Sequence, residues 1–307
     1  MSRKRRADER MRAAARAIFK DCIGTTPRRL LAQAGGQTNS VFRVDGSDES
    51  FVIRLSEDEG KLDDFRKERW AIERARDAGI PAPAVLRVDR TSDGLSFMLS
   101  RRAPGRLATK FGDPHKTLTQ LGRLARTLHE TTMPAYGGGF WNDHPPRLQW
   151  DGFLREELKL EERITQLLRL GLIDEDEAAR VRQVMQDLGA NREARLNHGD
   201  LRLKNALVDV SGNVSAVIDW EMATAAPAPE WDLAVALHDL SIDQKDAFID
   251  GYGLDDQSLL SLGPVLASLN ILHYAPFAEA ASRDGDGGQL QRYRRRFAKL
   301  YDLYSTA

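Results

Sequence analysis

Two Asp residues and one Asn residue are spaced in the sequence so that their side chains could act together in a reaction. Asp200 lies in the polar segment LNHGDLRLKN, Asn205 follows five residues later, and Asp219 follows fourteen residues after Asn205. Between Asn205 and Asp219 lie two β-branched apolar runs separated by the turn residues 211–213, which predicts a β-hairpin. This hairpin would bring Asn205 and Asp219 to neighbouring strand ends, with Asp200 in the turn just before.

Two oxygen ligands and one free carboxylate around a common point suit a hard divalent cation and a hydroxyl nucleophile. The order Asp, four residues, Asn and a later Asp is the catalytic order of protein kinases. There the first Asp orients the substrate hydroxyl, and the other two residues hold Mg²⁺ on the nucleotide phosphates. An ordinary polar turn would accommodate any one of these residues, but their joint spacing favours the catalytic interpretation.

The strings HGDLRLKN and IDWE resemble the motifs of the aminoglycoside phosphotransferase and choline kinase group of small-molecule kinases. HGD stands where protein kinases have HRD, and IDWE stands where they have DFG. The resemblance implies Asp200 as the catalytic residue and Asn205 and Asp219 as the Mg²⁺ ligands. It also implies that His198 and Asp232, the latter in the string WDLA, brace the catalytic loop.

The resemblance implies an α+β, bilobal, protein-kinase-like fold. An N-terminal lobe with an antiparallel β-sheet and a helix is expected over residues 1–102, and a mostly helical C-terminal lobe over 103–307. Apolar runs predict five strands before residue 102, with a Gly-rich loop between the first two. That loop contains Gly35, Gly36 and Ser40, and it could lay backbone N–H groups over phosphates because glycine permits close approach. A plain hairpin turn would have the same composition.

Protein kinases place a phosphate-binding Lys on the third strand and pair it with a Glu on the next helix. The third strand of this chain carries Arg54 in the string FVIRL, and the helical pattern that follows carries Glu68. Arginine stays charged and can hold a phosphate or carboxylate through two hydrogen bonds. The resemblance therefore implies that Arg54, positioned by Glu68, binds the nucleotide. The alternative is a surface Arg on an edge strand and an acid on a solvated helix face.

The chain is expected to cross between the lobes just after the fifth strand. By the resemblance, backbone groups near Ser100 and Arg102 would meet the adenine edge, and Met98 would line that pocket.

Composition excludes several other classes of protein. The chain has 307 residues, a net charge of −1 and one cysteine, Cys22, which excludes an internal disulfide and a Cys-rich zinc site. No apolar run reaches the length of a membrane span, and no apolar signal core follows the basic N-terminus. We therefore expect a cytoplasmic protein with no membrane or nucleic-acid partner. Residues 1–20 are expected to form a basic end that runs into an Ala-rich helix, with the Arg3, Lys4, Arg5 and Arg6 side chains solvated.

The charge balance bears on the acceptor. Residues 197–307 hold 9 Lys and Arg against 16 Asp and Glu, and an acidic lobe would attract a cationic small molecule. Glu221, Glu230 and Asp239 are the candidate acceptor-binding acids. Solvated helix faces would explain the same acids equally well.

The function expected from these residues is transfer of the γ-phosphoryl group of ATP, or of GTP, to a hydroxyl of a small molecule. The strings FMLSRRAPG and AVIDW look most similar to hygromycin-type aminoglycoside kinases, which implies an antibiotic phosphotransferase. The alternatives are a metabolic kinase of a sugar, amino sugar or amino alcohol, and a nucleotide-binding regulatory module without turnover. An ATP-consumption screen against these acceptor classes would separate the three.

Overall fold

A five-stranded antiparallel sheet dominates the first hundred residues of the computed structural model. The strands follow the order β1-β2-β3-β5-β4, so β3 and β5 lie in the interior of the sheet. Alternate residues of β2 and β3 are buried, as expected of strands with one covered face. The strands are Arg29–Gln33 (β1), Ser40–Asp45 (β2), Ser50–Ser56 (β3), Val85–Arg90 (β4) and Ser96–Arg101 (β5). The structure describes residues 3–33, 39–111, 113–141, 149–189, 192–238 and 240–298.

Helix α1, Arg3–Ile23, covers one face of this sheet. Its buried residues form one core with Phe42 and Ile53 of the sheet, and the Phe19 and Phe51 rings meet edge to face at 5.3 Å. The predicted Ala-rich helix is therefore confirmed and extends to Ile23, whereas the Arg3, Lys4, Arg5 and Arg6 side chains lie outside those described. The stripe that was overlooked has helical spacing and comprises Met11, Ala15, Ile18 and Phe19.

Helix α2, Lys61–Asp77, follows β3 and carries Glu68 among its buried residues. It ends before Gly79, whose φ of 86° requires the left-handed conformation that glycine adopts readily. Acidic Asp63 and Asp64 in its first turn suit the positive end of the helix.

The rest of the described chain is mostly helical, which confirms the predicted α+β class with an antiparallel sheet first and a helical region after it. By length and composition α9 could span a membrane, although the sequence predicted no membrane span. It contains Pro264 and Pro276 and packs against α5, α6, α7 and α10. These helices are Pro114–Leu128 (α3), Trp150–Glu156 (α4), Leu160–Arg169 (α5), Glu175–Gly189 (α6), Glu230–Ala236 (α7), Ile242–Tyr252 (α8), Asp256–Arg283 (α9) and Gly287–Phe297 (α10).

Short strands within the helical region position the polar motif. The predicted hairpin is confirmed as an antiparallel pair, although its strands are shorter than the apolar runs. A second pair flanks it and holds the segments before Asp200 and after Asp219 side by side. The hairpin also contacts the segment before the sheet's fourth strand, because the Val217 N–H donates to the Pro81 carbonyl at 2.7 Å. The strands are Arg106–Leu107 (β6), Arg195–Asn197 (β7), Ala206–Val208 (β8), Val214–Val217 (β9) and Thr224–Ala226 (β10).

Candidate active site

The turn after β7 presents Asp200 as the centre of a small polar cluster. The Asn205 amide nitrogen donates to the Asp200 carbonyl at 2.8 Å and to its carboxylate oxygen Oδ2 at 2.9 Å. Arg202 Nε forms a short ion pair with Oδ1, and Lys204 Nζ lies 2.7 Å from Oδ2. The carboxylate is thus held in place by three side chains of its own loop.

Burial by itself would raise the pKa of Asp200, but the hydrogen bonds from Arg202 and Lys204 outweigh it and hold the pKa below its ordinary value. The side chain is therefore a carboxylate at neutral pH. As an anion it can accept a hydrogen bond from a hydroxyl and orient that oxygen.

The Asp232 carboxylate on α7 holds the backbone of this turn through hydrogen bonds. Its Oδ2 accepts from the His198 N–H at 2.9 Å and its Oδ1 from the Gly199 N–H at 2.6 Å. His129 Nε2 lies 3.1 Å from the same Oδ2, and Asp232 is completely buried. Gly199 has φ of 77°, and a Cβ there would lie 2.2 Å from the Met222 carbonyl oxygen, so the glycine of HGD is required sterically.

His198 is a buried structural link between the turn and the hairpin. Its Nδ1 accepts from the Asp200 N–H at 3.2 Å, so the proton of the neutral ring is on Nε2, 3.2 Å from the Ile218 carbonyl. Burial lowers the pKa of His198 and keeps the ring neutral. Because both ring nitrogens are hydrogen-bonded to the backbone, His198 holds the loop in position and has no free nitrogen to carry a proton.

Asp219 follows the hairpin in a conformation that non-glycine residues seldom adopt, with φ of 67° and ψ of 64°. Within the described part of the chain its carboxylate accepts no hydrogen bond. Burial and the neighbouring Glu221 raise its pKa. An ionised Asp219 in this position would be stabilised by a bound cation.

Asn205 and Asp219 supply two oxygens that could hold a metal ion. The Ile218 N–H donates to the Asn205 carbonyl at 2.9 Å, which fixes the segment before Asp219 beside Asn205. Because the Asn205 amide nitrogen faces Asp200, its amide oxygen points elsewhere. Among the residues described, no three His, Cys, Asp or Glu side chains form a metal-binding group. Two protein oxygens fit Mg²⁺, which usually takes one or two carboxylates and completes its shell with water and phosphate.

Arg54 connects the sheet to the segment after Asp219. Its Nη1 lies 2.7 Å from both carboxylate oxygens of Glu68, and its Nη2 lies 3.3 Å from Glu221 Oε2. Burial disfavours the charged guanidinium, but Glu68 and Glu221 outweigh burial and raise the pKa of Arg54. The predicted pairing of Arg54 with Glu68 is therefore present.

Lys61, the first residue of α2, shares the Glu221 oxygen with Arg54 at a distance of 3.4 Å. Sequence reasoning did not select Lys61, although it lies two helical turns before Glu68 and so on the same face of α2. Glu221 was expected to bind the acceptor. In the structure Glu221 contacts Arg54 on β3 and Lys61 on α2, because the turn after Asp219 directs its side chain toward them.

Other predicted residues lie elsewhere. Glu230 is fully buried, with Oε1 2.8 Å from Arg192 Nη2, so it presents no carboxylate to a ligand, contrary to expectation. Neither of its oxygens has a hydrogen bond of good geometry with the described residues. Gly35, Gly36 and Asp239 lie outside the described residues.

Three further residues predicted to contact the nucleotide lie in or next to strands of the sheet. Ser40 is simply the first residue of β2, in register with Leu55. Ser100 is an interior residue of β5 in register with both neighbouring strands. The Arg102 N–H donates to the Ser50 carbonyl at 2.8 Å. The Arg102 N–H is therefore engaged with the sheet, while an adenine contact near Ser100 and Arg102 stays a prediction.

The sequence pattern of the phosphotransferase enzyme family matches residues 30–270, most of the chain. The chain belongs to this family. Membership in the phosphotransferase enzyme family makes the protein a small-molecule phosphotransferase. No curated protein sequence matches the chain.

Solved structures of aminoglycoside phosphotransferases share the fold of this family member. A thermostable mutant of APH(4)-Ia with AMP-PNP and hygromycin B has a TM-score of 0.69 at 19% identity, over 94% of this chain and 97% of that one. The GDP complex of aminoglycoside 2'-phosphotransferase-IIIa has a TM-score of 0.65 at 16% identity, over 92% and 95%. The GDP and kanamycin complex of APH(2'')-IIIa has a TM-score of 0.60 at 16% identity, over 94% and 97%. The protein-kinase-like fold is thereby confirmed.

Proposed function

We propose that the protein transfers the γ-phosphoryl group of ATP to a hydroxyl of a small molecule. The observation that supports this most directly is the cluster around Asp200: an ionised carboxylate held by Asn205, with the Asp219 carboxylate, which accepts no hydrogen bond from the described residues, at the end of the adjoining hairpin. Arg54 connects the sheet to the same segment through Glu221. These are residue types that phosphoryl transfer requires.

In the proposed reaction Asp200 accepts a hydrogen bond from the acceptor hydroxyl and aims its oxygen at the γ-phosphorus. The bond from this oxygen to phosphorus forms while the bond to the leaving oxygen of ADP breaks. The hydroxyl proton passes to Asp200 and then to solvent. Because the pKa of Asp200 is low, the carboxylate chiefly orients the hydroxyl and takes the proton late, as suits a loose transition state.

Arg54, positioned by Glu68, would bind the phosphates, and Asn205 and Asp219 would hold Mg²⁺. When bound, Mg²⁺ neutralises charge on the phosphate oxygens. His198 and Asp232 keep the loop rigid, so that Asp200 needs no rearrangement during the reaction. GTP is the alternative nucleotide, since some structural relatives were crystallised with GDP.

Two acceptor classes follow from different observations. The relatives in complex with hygromycin B and kanamycin suggest an aminoglycoside for this chain, acting as a resistance kinase. A metabolite hydroxyl is the second candidate. It is favoured because Glu221 and Glu230, two acids expected to bind a polycation, are engaged elsewhere.

The deciding experiment measures ATP consumption by the purified protein with Mg²⁺ and a panel of aminoglycosides, amino sugars, sugars and hydroxy acids. We expect ADP and a phosphorylated product with at least one acceptor class. If Mg²⁺ and ATP bind but no acceptor is phosphorylated, the protein is a nucleotide-binding module without turnover.

Asp219→Ala is expected to weaken ATP binding in the presence of Mg²⁺ by about tenfold to a hundredfold, as for loss of one charge-assisted contact. Calorimetry with and without Mg²⁺ checks this. In EDTA the variant should bind ATP at least as well as the wild type, because a negative charge near the phosphates has been removed. Equal affinities of both proteins with Mg²⁺ would remove Asp219 from the metal site.

A further inference from the structure

Two cations of the site converge on one carboxylate oxygen. Arg54 Nη2 lies 3.3 Å from Glu221 Oε2, and Lys61 Nζ lies 3.4 Å from the same oxygen. Both cations also lie over the Phe65 ring, whose centroid is 5.2 Å from the Arg54 guanidinium carbon and 6.0 Å from Lys61 Nζ. Phe65 is fully buried on α2, so β3 and α2 hold the two positive groups side by side. Glu221 Oε2 marks a point where one anionic oxygen contacts both of them.

Helix stability does not account for Lys61 at its position. It is the first residue of α2, where the positive end of the helix dipole disfavours a cation. Its ion pair with Asp64 at 3.0 Å has the less favourable order of charges along a helix. The side chain is nevertheless only 12% exposed. Burial disfavours the charged ammonium, but Asp64 and Glu221 outweigh burial and raise the pKa of Lys61, so the group is a cation at neutral pH.

The contacts of Glu221 are longer than those that fix Arg54. Both oxygens of Glu68 lie 2.7 Å from Arg54 Nη1, within the range of about 2.7–2.9 Å for charge-assisted hydrogen bonds. Both cation distances to Glu221 Oε2 exceed that range, and the Glu221 side chain is 36% exposed. Glu68 therefore holds the guanidinium in position through Nη1. Nη2 and Lys61 Nζ can donate to an anion that binds more strongly than Glu221.

A phosphate group has the chemistry to take the place of Glu221 Oε2. It carries more than one negative charge at neutral pH and presents three strong acceptor oxygens, whereas Glu221 offers both cations the same single oxygen. Glu221 also follows the proposed metal ligand Asp219 by two residues, in the short helical turn Trp220–Met222. An anion bound between Arg54 and Lys61 therefore adjoins the proposed Mg²⁺ site.

We propose that Lys61 is a second phosphate-binding residue, and that a phosphate oxygen of ATP replaces Glu221 Oε2 between Arg54 and Lys61 when the nucleotide binds. The inference rests on the proposed kinase function and adds to it one residue and one exchange of partners. Glu221 competes with the nucleotide for the two cations, and its partly exposed side chain turns away as the phosphate enters.

Calorimetry of the full-length protein with AMP-PNP and with adenosine, both in EDTA, separates phosphate contacts from base contacts and from the metal. Lys61→Met should weaken AMP-PNP binding by about tenfold to a hundredfold, the loss expected for a charged hydrogen bond, and should leave adenosine binding unchanged. Lys61→Arg keeps the charge and should recover most of the affinity.

Arg66→Met is the matched control for Lys61→Met. It also removes one positive charge from α2, but Arg66 is exposed and pairs with Asp63 at 3.2 Å, so this variant should bind both ligands like the wild type. Unchanged AMP-PNP affinity in Lys61→Met overturns the proposal. An equal loss of affinity for AMP-PNP and adenosine also overturns it, because the change would then not concern the phosphates.

Glu221→Gln tests the exchange of partners. Glutamine keeps the size of the side chain but lacks the charge that competes with phosphate. AMP-PNP should therefore bind about twofold to fivefold more tightly in EDTA, the range expected for loss of one exposed ion pair. In the double variant with Lys61→Met this gain should shrink, because one of the two cations that Glu221 releases is absent. No gain in Glu221→Gln, or an undiminished gain in the double variant, refutes the exchange.

The kinase proposal and the role of Lys61 can fail separately. If Lys61→Met loses AMP-PNP affinity but the wild type phosphorylates no acceptor, Lys61 remains a phosphate-binding residue and the kinase proposal fails. If an acceptor is phosphorylated and Lys61→Met has the KM for ATP of the wild type, the kinase proposal stands and the role of Lys61 is refuted.

Discussion

Replacing Asp200 by Asn is expected to reduce kcat by about 10²–10⁴-fold, the usual contribution of a positioned acid–base group. Asparagine keeps the shape of the side chain and can still accept the hydrogen bond from Asn205. It lacks the negative charge that attracts and finally deprotonates the hydroxyl. The measurement is kcat at saturating ATP with the best acceptor of the panel, together with ATP affinity by calorimetry, which should change little.

Asp209→Asn is the matched control for this variant. Asp209 lies at the turn of the same hairpin, where its carboxylate accepts from the Ser211 and Asn213 N–H groups at 2.8 and 2.9 Å. Its replacement should leave kcat close to that of the wild type. If Asp200→Asn retained near-normal turnover, Asp200 would have no part in the mechanism.

Asp232→Ala is expected to lower the free energy of unfolding by about 3–5 kcal/mol, as for removal of one partner from a buried charged network. The loss leaves the N–H groups of His198 and Gly199 and the ring of His129 without their acceptor. Urea unfolding measures the effect. Asp243→Ala, at an exposed position in the first turn of α8, should change stability by no more than about 0.5 kcal/mol.

The pH dependence gives a second readout for Asp232. Burial opposes its ionisation, but His129 and the His198 N–H outweigh burial and lower the pKa of Asp232. A carboxylate with a lowered pKa stabilises the folded state above its ordinary pKa, and this stabilisation is lost as the pH falls toward the folded pKa. The difference between wild type and Asp232→Ala should therefore be full at pH 7 and shrink in acid. If Asp232→Ala does not fold, Asp232→Asn should show a smaller loss, whereas stability equal to that of Asp243→Ala would contradict the bracing role.

The sequence by itself determined the class of fold and the central motif. HGD, Asn205 and Asp219 stand within one turn and one hairpin, and such local geometry follows from turn residues and alternating apolar runs. The Arg54–Glu68 pair was also predicted, but through the resemblance to kinases, in which a basic residue of the third strand pairs with a Glu of the next helix. The apolar stripe of α1 was present in the sequence too, but alanine and arginine obscured it.

Only the tertiary structure decided which charges face one another. Glu221 contacts Arg54, from which 167 positions separate it in the sequence. Glu230 is fully buried. The charge balance of the sequence predicted neither arrangement. Electrostatic potential at a site depends on the distance and burial of each charge, whereas a net charge summed along the chain contains neither. For this reason the charge balance of residues 197–307 could not show which acids are available to a ligand, and the cationic acceptor stays a prediction.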